Sequence, residues 1–156
     1  MTDPKTNIGE EVKSKIINQG IAETEDVVGC TRQEIENIEE TCGVTLPSSY
    51  RSFLRHLGRS SGSFLQGHTC HYPRLRKLQD RAKRAFQREG VESEFENSYF
   101  AFLGSQSVVF YYFDTEGGRS DPPVYVLAEG RESPERYFDS YSEWLHSQIE
   151  EHAEVF

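Results

Sequence analysis

Apolar residues recur at helical spacing in the first half of this chain and crowd into short runs in the second. In "GEEVKSKIINQG", Val12, Ile16 and Ile17 fall on one side of a helix, and Gly20 supplies a stop. A second helix is predicted from Thr31. Thr31 is a good N-cap, Glu34 completes a capping-box pattern, and Ile35, Ile38 and Cys42 share a face before Gly43 ends it. Helical spacing resumes in "SSYRSFLRHL", where Tyr50, Phe53, Leu54 and Leu57 form a stripe that stops at Gly58. Pro47 lies between these two runs. Proline is poor inside a helix but suits its first turn, where its fixed φ fits and its missing N–H has no helical partner. The expectation is a break: "VTLP" connects, Pro47 opens a third helix, and two short amphipathic helices meet at an angle around one core.

A loop rich in Gly and Ser follows, and "SFLQGHT" is expected to form a short strand. "PRLRKLQDRAKRAFQREG" predicts a fourth helix with Leu75, Leu78, Ala82 and Phe86 inward and Gly90 as its stop. Strands are predicted at "YFAFLG", "SVVFYYFD" and "PVYVLAE", with Gly117 and Gly118 giving the last connection the positive φ it needs. "SVVFYYFD" is apolar on both alternating faces, which places it centrally in a sheet. "DSYSEWLHSQIEEH" predicts a closing helix capped by Asp139 or Ser140, with Tyr141, Trp144, Leu145 and Ile149 inward. Helices, an antiparallel sheet of about four strands and a closing helix make an α+β domain.

The stretch "TRQEIENIEETCGVTLPSSYRSFLRHLG" resembles the Smi/Knr-like branch of the SUKH superfamily. The later "VVFYYFDTEGGRSDPPVYVL" looks like that family's pair of strands with proline before the second, and "YFDSYSEWL" looks like its closing segment. The ordered set covers most of the chain from Val28 to Leu145. One departure is "GRSSG" after the third helix, where the family often has an Asn-Gly-Gly type of loop. The resemblance implies an α+β fold with flanking helices. It also implies one of two roles: a bacterial immunity protein that binds and neutralises a toxin, often a nuclease, or a scaffolding or regulatory protein of the fungal cell-wall kind.

The 156 residues fit a single domain over 1–156, with the first eight expected to be flexible. No apolar run approaches the roughly 18 residues of a membrane span, and the start "MTDPKTNIGEE" is polar and acidic, unlike a signal peptide. Three scattered cysteines do not form a disulfide framework. The expected setting is cytoplasmic. Net charge is −9, but unevenly spread. Residues 1–50 carry 4 basic and 10 acidic groups, 51–90 carry 10 and 2, and 91–156 carry 3 and 14. Such asymmetry points to internal pairing or to a charged partner.

Candidate chemistry is sparse. His68, Cys70 and His71 in "HTCHYP" lie close together, but zinc needs about four ligands in tetrahedral reach. Cys30 and Cys42 supply no C-x-x-C spacing to complete them. Cys70 beside a histidine suggests a thiol nucleophile, which also needs an oxyanion hole. "GRSSG" follows a helix and lacks the lysine-serine end of a phosphate loop. Glu34, Glu36, Glu39 and Glu40 are expected on a solvated helix face. No catalytic residue, metal or cofactor is expected.

Two surfaces are candidates for a partner. Lys77, Arg81, Arg84 and Arg88 fall along one side of the fourth helix, a basic stripe that suits phosphates or an acidic protein, or else pairs within the chain. Direct nucleic-acid binding is not expected of a chain this acidic. The preferred surface is the central strand and its turn: Tyr111 and Phe113 on one face, then Asp114, Glu116, Arg119 and Asp121. If helices cover only one side of the sheet, those rings form an exposed patch. The expected function is a non-enzymatic protein that binds a cognate toxin. The alternative is a regulatory or scaffolding module with another protein client. No membrane partner is expected.

Overall fold

The computed structural model describes residues 7–66, 68–90, 95–105, 109–128, 130 and 134–155, with side chains described as far as residue 152. Helix α1 (Ile8–Asn18) buries Ile8, Val12 and Ile16. Of the eight residues expected to be flexible, 1–6 lie outside the described residues, and Ile8 is packed in the core. Helix α2 (Arg32–Cys42) begins with the capping box read from the sequence. Thr31 Oγ1 accepts the Glu34 N–H at 3.2 Å, and Glu34 Oε1 accepts the Thr31 N–H at 2.9 Å. Gly43 closes it in the left-handed region at φ 68°.

Helix α3 (Ser48–Leu57) confirms the break, with a shift of one residue. Pro47 is the N-cap, extended at ψ 149°, and not a member of the first turn. Its carbonyl still accepts the Arg51 N–H at 2.9 Å, so the missing N–H costs the helix nothing. Tyr50, Phe53, Leu54 and Leu57 are all buried. Helix α1 crosses α3 closely at Gly9, whose N–H donates to Ser52 Oγ at 2.9 Å. A Cβ at Gly9 would overlap the Ser52 carbonyl.

Two-residue strands β1 (Val27–Val28) and β2 (Ser60–Ser61) pair beside α3. The segment expected as a strand, "SFLQGHT", instead turns. Phe64 N–H donates to the Ser61 carbonyl at 3.1 Å, and Leu65 sits at φ 60°. That reversal tucks Phe64 and Leu65 into the core, where an extended strand would leave one side chain in two facing water. Only Thr69 forms a bridge, to Gly104, and Gly67 lies outside the described residues.

Helix α4 (Leu75–Arg88) precedes an antiparallel sheet of β3 (Tyr99–Ser105), β4 (Val109–Asp114), β5 (Val124–Ala128) and β6 (Glu135–Phe138), in that order. Helix α5 (Tyr141–Val155) closes the chain. The fold is α+β, and β4 is central. The fourth strand is β6, a segment the sequence reading gave to the approach of the closing helix.

Helices cover both faces of β4. Tyr112 meets Phe86 of α4, with ring centroids 5.6 Å apart. On the opposite face Phe113 meets Tyr50 of α3 at 5.3 Å and Tyr141 of α5 at 5.9 Å. Phe102 of β3 meets the Trp144 ring edge-on at 4.8 Å. Edge-to-face pairs like these add about 0.5–1.5 kcal/mol each beyond the area they bury. The ring-rich composition is therefore spent on a layered core.

Candidate partner-binding surface

The connection from β4 to β5 is anchored along its length. Thr115 donates both its N–H and its hydroxyl to the Ser98 carbonyl, at 2.8 and 2.7 Å. Asp114 Oδ1 accepts the Glu116 N–H at 2.9 Å, an Asx turn. Gly117 and Gly118 then take φ 89° and 62°, as the sequence required. Further on, the Ser120 carbonyl accepts the Ser49 N–H of α3 at 3.0 Å. Asp121 Oδ1 accepts the Ser142 N–H at the start of α5 at 2.9 Å. Ser140 Oγ accepts the Glu143 N–H at 3.2 Å, so Ser140 is a cap of that helix.

Between these anchors Glu116 and Arg119 stand exposed, and Asp114 is half-buried. Glu96 joins them from the approach to β3. Burial raises the Tyr99 phenol above its ordinary value of 10.0, and Asp114, Glu96, Tyr125 and Glu116 raise it further. One tyrosine thus feels three carboxylates, and the tip is an acidic patch. Nothing in the local sequence joins Glu96 to Glu116. The strand register does so, by setting Tyr99 opposite Asp114.

The rings expected beside this tip are placed differently. Phe113 is fully buried among Tyr50, Phe100, Phe102 and Tyr141, so it belongs to the core and has no surface to offer. The cause is the second helical layer, α3 with α5, over a face that was open if helices lay on one side only. Tyr111 is half-buried against Trp144 at 5.8 Å and Tyr137 at 5.6 Å. Burial, then Tyr137 and Glu151, raise its phenol. Tyr137 on β6, 47% exposed, is the ring that does reach solvent. Asp121 is drawn into helix capping.

The basic stripe divides in the same way. Lys77, Arg84 and Arg88 are exposed on α4. Arg81 is half-buried, lies over the Phe110 ring at 5.7 Å, and donates to Thr69 Oγ1 at 3.2 Å. A guanidinium stacked on a ring and hydrogen-bonded within the fold is pinned to the protein.

The His and Cys cluster forms a relay. Ser61 Oγ donates to the Phe64 carbonyl at 2.7 Å, so it accepts from His71 Nε2, 2.9 Å away. That places the proton on Nε2 and leaves Nδ1 to accept from Cys70 Sγ at 3.5 Å. Burial pushes the Cys70 thiol up to about 12 and the His71 imidazole down. A buried thiol this weak as an acid holds its proton at neutral pH, which is the opposite of nucleophile activation. His68 is exposed and apart. Among the described residues no three His, Cys, Asp or Glu side chains are grouped as metal ligands. Glu34 caps α2 and pairs with Arg59, Glu36 pairs with Arg32, and Glu39 holds the Leu46 N–H. Among the described residues no helix is long and apolar enough to cross a membrane.

A family model described as "SMI1-KNR4 cell-wall" matches residues 32–145. The match runs from the start of α2 to the Leu145 position of α5 and takes in the β4–β5 connection. No curated protein matches the chain.

Proposed function

The chain belongs to the SMI1-KNR4 family, and from that premise we propose that it is a non-enzymatic binding protein which neutralises a cognate protein toxin, a basic nuclease, in the cytoplasm. Support for the role comes from the likeness to SUKH immunity proteins carried by the motifs above. Support for the mechanism comes from one observation, the anchored acidic tip at Asp114, Glu116 and Glu96 around Tyr99. A tip held at both ends loses little entropy on docking. Carboxylates presented to a cationic cleft speed encounter, and salt weakens that attraction. Glu116 and Arg119 supply the exposed rim, Asp114 the half-buried edge, and Tyr111 with Tyr137 the nearest rings. No cofactor, membrane or nucleic acid takes part.

The test is to sequence the neighbouring reading frames, co-express any that is toxic with this chain, and run the purified pair on size-exclusion. Growth rescue and co-elution are expected. A toxic neighbour that is neither rescued nor bound would sink the reading for that pair. The second reading, a regulatory or scaffolding module with another protein client, is favoured by the cell-wall description of the family model. It predicts a client whose binding does not abolish any toxicity.

A further inference from the structure

The charges of α4 and of the acidic tip adjoin without meeting. Among the exposed residues of α4, Asp80 is the one carboxylate, against Arg76, Lys77, Lys83, Arg84 and Arg88. Arg76, Lys77 and Lys83 have no hydrogen bond or ion pair among the described residues, and Arg84 Nε donates to the Asp80 carbonyl of its own helix at 3.4 Å. The tip carries Glu96, Asp114 and Glu116 with one cation, Arg119. Its three carboxylates likewise make no ion pair among the described residues. A cleft of about 230 Å³ lies between the two patches. Arg76, Asp80 and Lys83 line it from α4, and Glu96 and Tyr99 line it from β3 and its approach.

Each patch lacks what the other supplies, and both lie on the same side of the sheet. Helix α4 docks there through Phe86 on Tyr112. Asp114 shares that side with Tyr112, because alternate residues of a strand face the same way. Tyr99, directly opposite Asp114, points there too, with its ring 5.0 Å from that of Tyr112. This placement decides what a second copy of the chain can do. Complementary patches on opposite sides would link copies head to tail into open chains, whereas adjacent patches can both be satisfied across one two-fold axis. We propose that two copies of this chain associate as a symmetric dimer, the basic face of α4 in each lying on the acidic tip of the other. Net charge does not forbid it. At about 0.1 M salt the Debye length is about 10 Å, so the facing patches outweigh the −9 carried by each whole chain. The inference goes beyond the toxin reading and does not depend on it: such a dimer covers the tip at high chain concentration and frees it on dilution.

The test is sedimentation velocity of the whole chain at about 0.5 mM, in about 0.1 M and about 0.5 M salt. The wild type should show a monomer–dimer equilibrium whose dissociation constant rises severalfold with the added salt. Two variants divide the interface. Lys83→Glu with Arg84→Glu reverses the helix face, and Glu96→Lys with Glu116→Lys reverses the tip. Each variant alone should be monomeric, because like charges then face each other at both contacts. Mixed in equal amounts, the two should form a heterodimer, because both contacts again pair opposite signs. Circular dichroism checks that the variants are folded; if one is not, Arg84→Glu and Glu116→Lys singly carry the same mixing test. A wild type that stays monomeric at the lower salt, a dimer that neither variant weakens, or folded variants that fail to associate on mixing each overturn the proposal. A monomer that instead binds poly-glutamate through Lys83 and Arg84 assigns the basic face to another partner, and overturns it as well.

Discussion

The Gln79 side chain of α4 closes both hydrogen bonds of the Ala101 peptide on β3: its Nε2 donates to the Ala101 carbonyl at 2.7 Å and its Oε1 accepts the Ala101 N–H at 2.8 Å. β3 is an edge strand, and its pairing with β4 slips between Ala101 and Leu103. Among the described residues no strand neighbours the edge-facing backbone groups there. One buried carboxamide replaces that strand and fixes where α4 docks.

Gln79→Leu is therefore expected to cost roughly 2–4 kcal/mol, because it strands a buried donor and a buried acceptor together. Urea unfolding with an unchanged slope checks the value. A loss below half a kcal/mol would mean that water replaces the side chain.

Two substitutions in α3 should move stability in opposite directions. Leu54 is fully buried, and Leu54→Ala should cost about 2–5 kcal/mol through lost contacts and the cavity left behind. Tyr50 is equally buried, yet its hydroxyl has no partner. Tyr50→Phe should be neutral or stabilising by up to about 1 kcal/mol. A clear destabilisation would show that the hydroxyl has found an acceptor.

Stability should fall as pH drops below 6.5, the ordinary imidazole value. Burial holds His71 and His56 below it in the folded protein. Groups kept neutral when folded bind fewer protons than when unfolded, so their contribution is complete above 6.5 and is lost as pH falls from there through the lower folded value. The urea midpoint should be lower at about pH 5.5 than at about pH 7.5, and His71→Gln should flatten the slope. An unchanged slope in that variant would remove His71 from the account.

Thiol reactivity should follow burial. Cys30 and Cys70 are buried and Cys42 is half-buried. Burial raises all three thiols, Cys30 to about 11 and Cys70 to about 12. A disulfide reagent at neutral pH should modify Cys42 first, and the other two only on unfolding. Rapid modification of Cys70 in the native protein would reopen the nucleophile reading.

Charge reversal should separate steering from folding. Glu116→Lys with Glu96→Lys alters the exposed tip, and should slow association with a basic partner severalfold at low salt and little at high salt. Asp121→Lys is a poor probe, since it also removes the acceptor of the Ser142 N–H and should lower stability. If the double reversal leaves the low-salt association rate unchanged, the partner docks elsewhere.

The sequence alone determined the elements whose signals are local. Thr31 and Glu34 announce a helix start because a capping box is complete within four residues. Pro47 announces a break because a fixed φ and a missing N–H act within one turn. Gly117 and Gly118 announce a turn because only glycine takes those φ values freely. The central place of β4 was legible too, from its unbroken run of rings. What only the tertiary structure decided depends on which elements come together. Phe113 looked like a candidate surface ring until α3 and α5 covered its face. Arg81 looked equal to its neighbours until Phe110 came under it. Asp121 became a helix cap because Ser142 arrives beside it. Glu96 joined the acidic tip through strand register. Local conformation is written in spacing and residue type. Burial and pairing are set by neighbours remote in sequence, and one chain read in order does not show them.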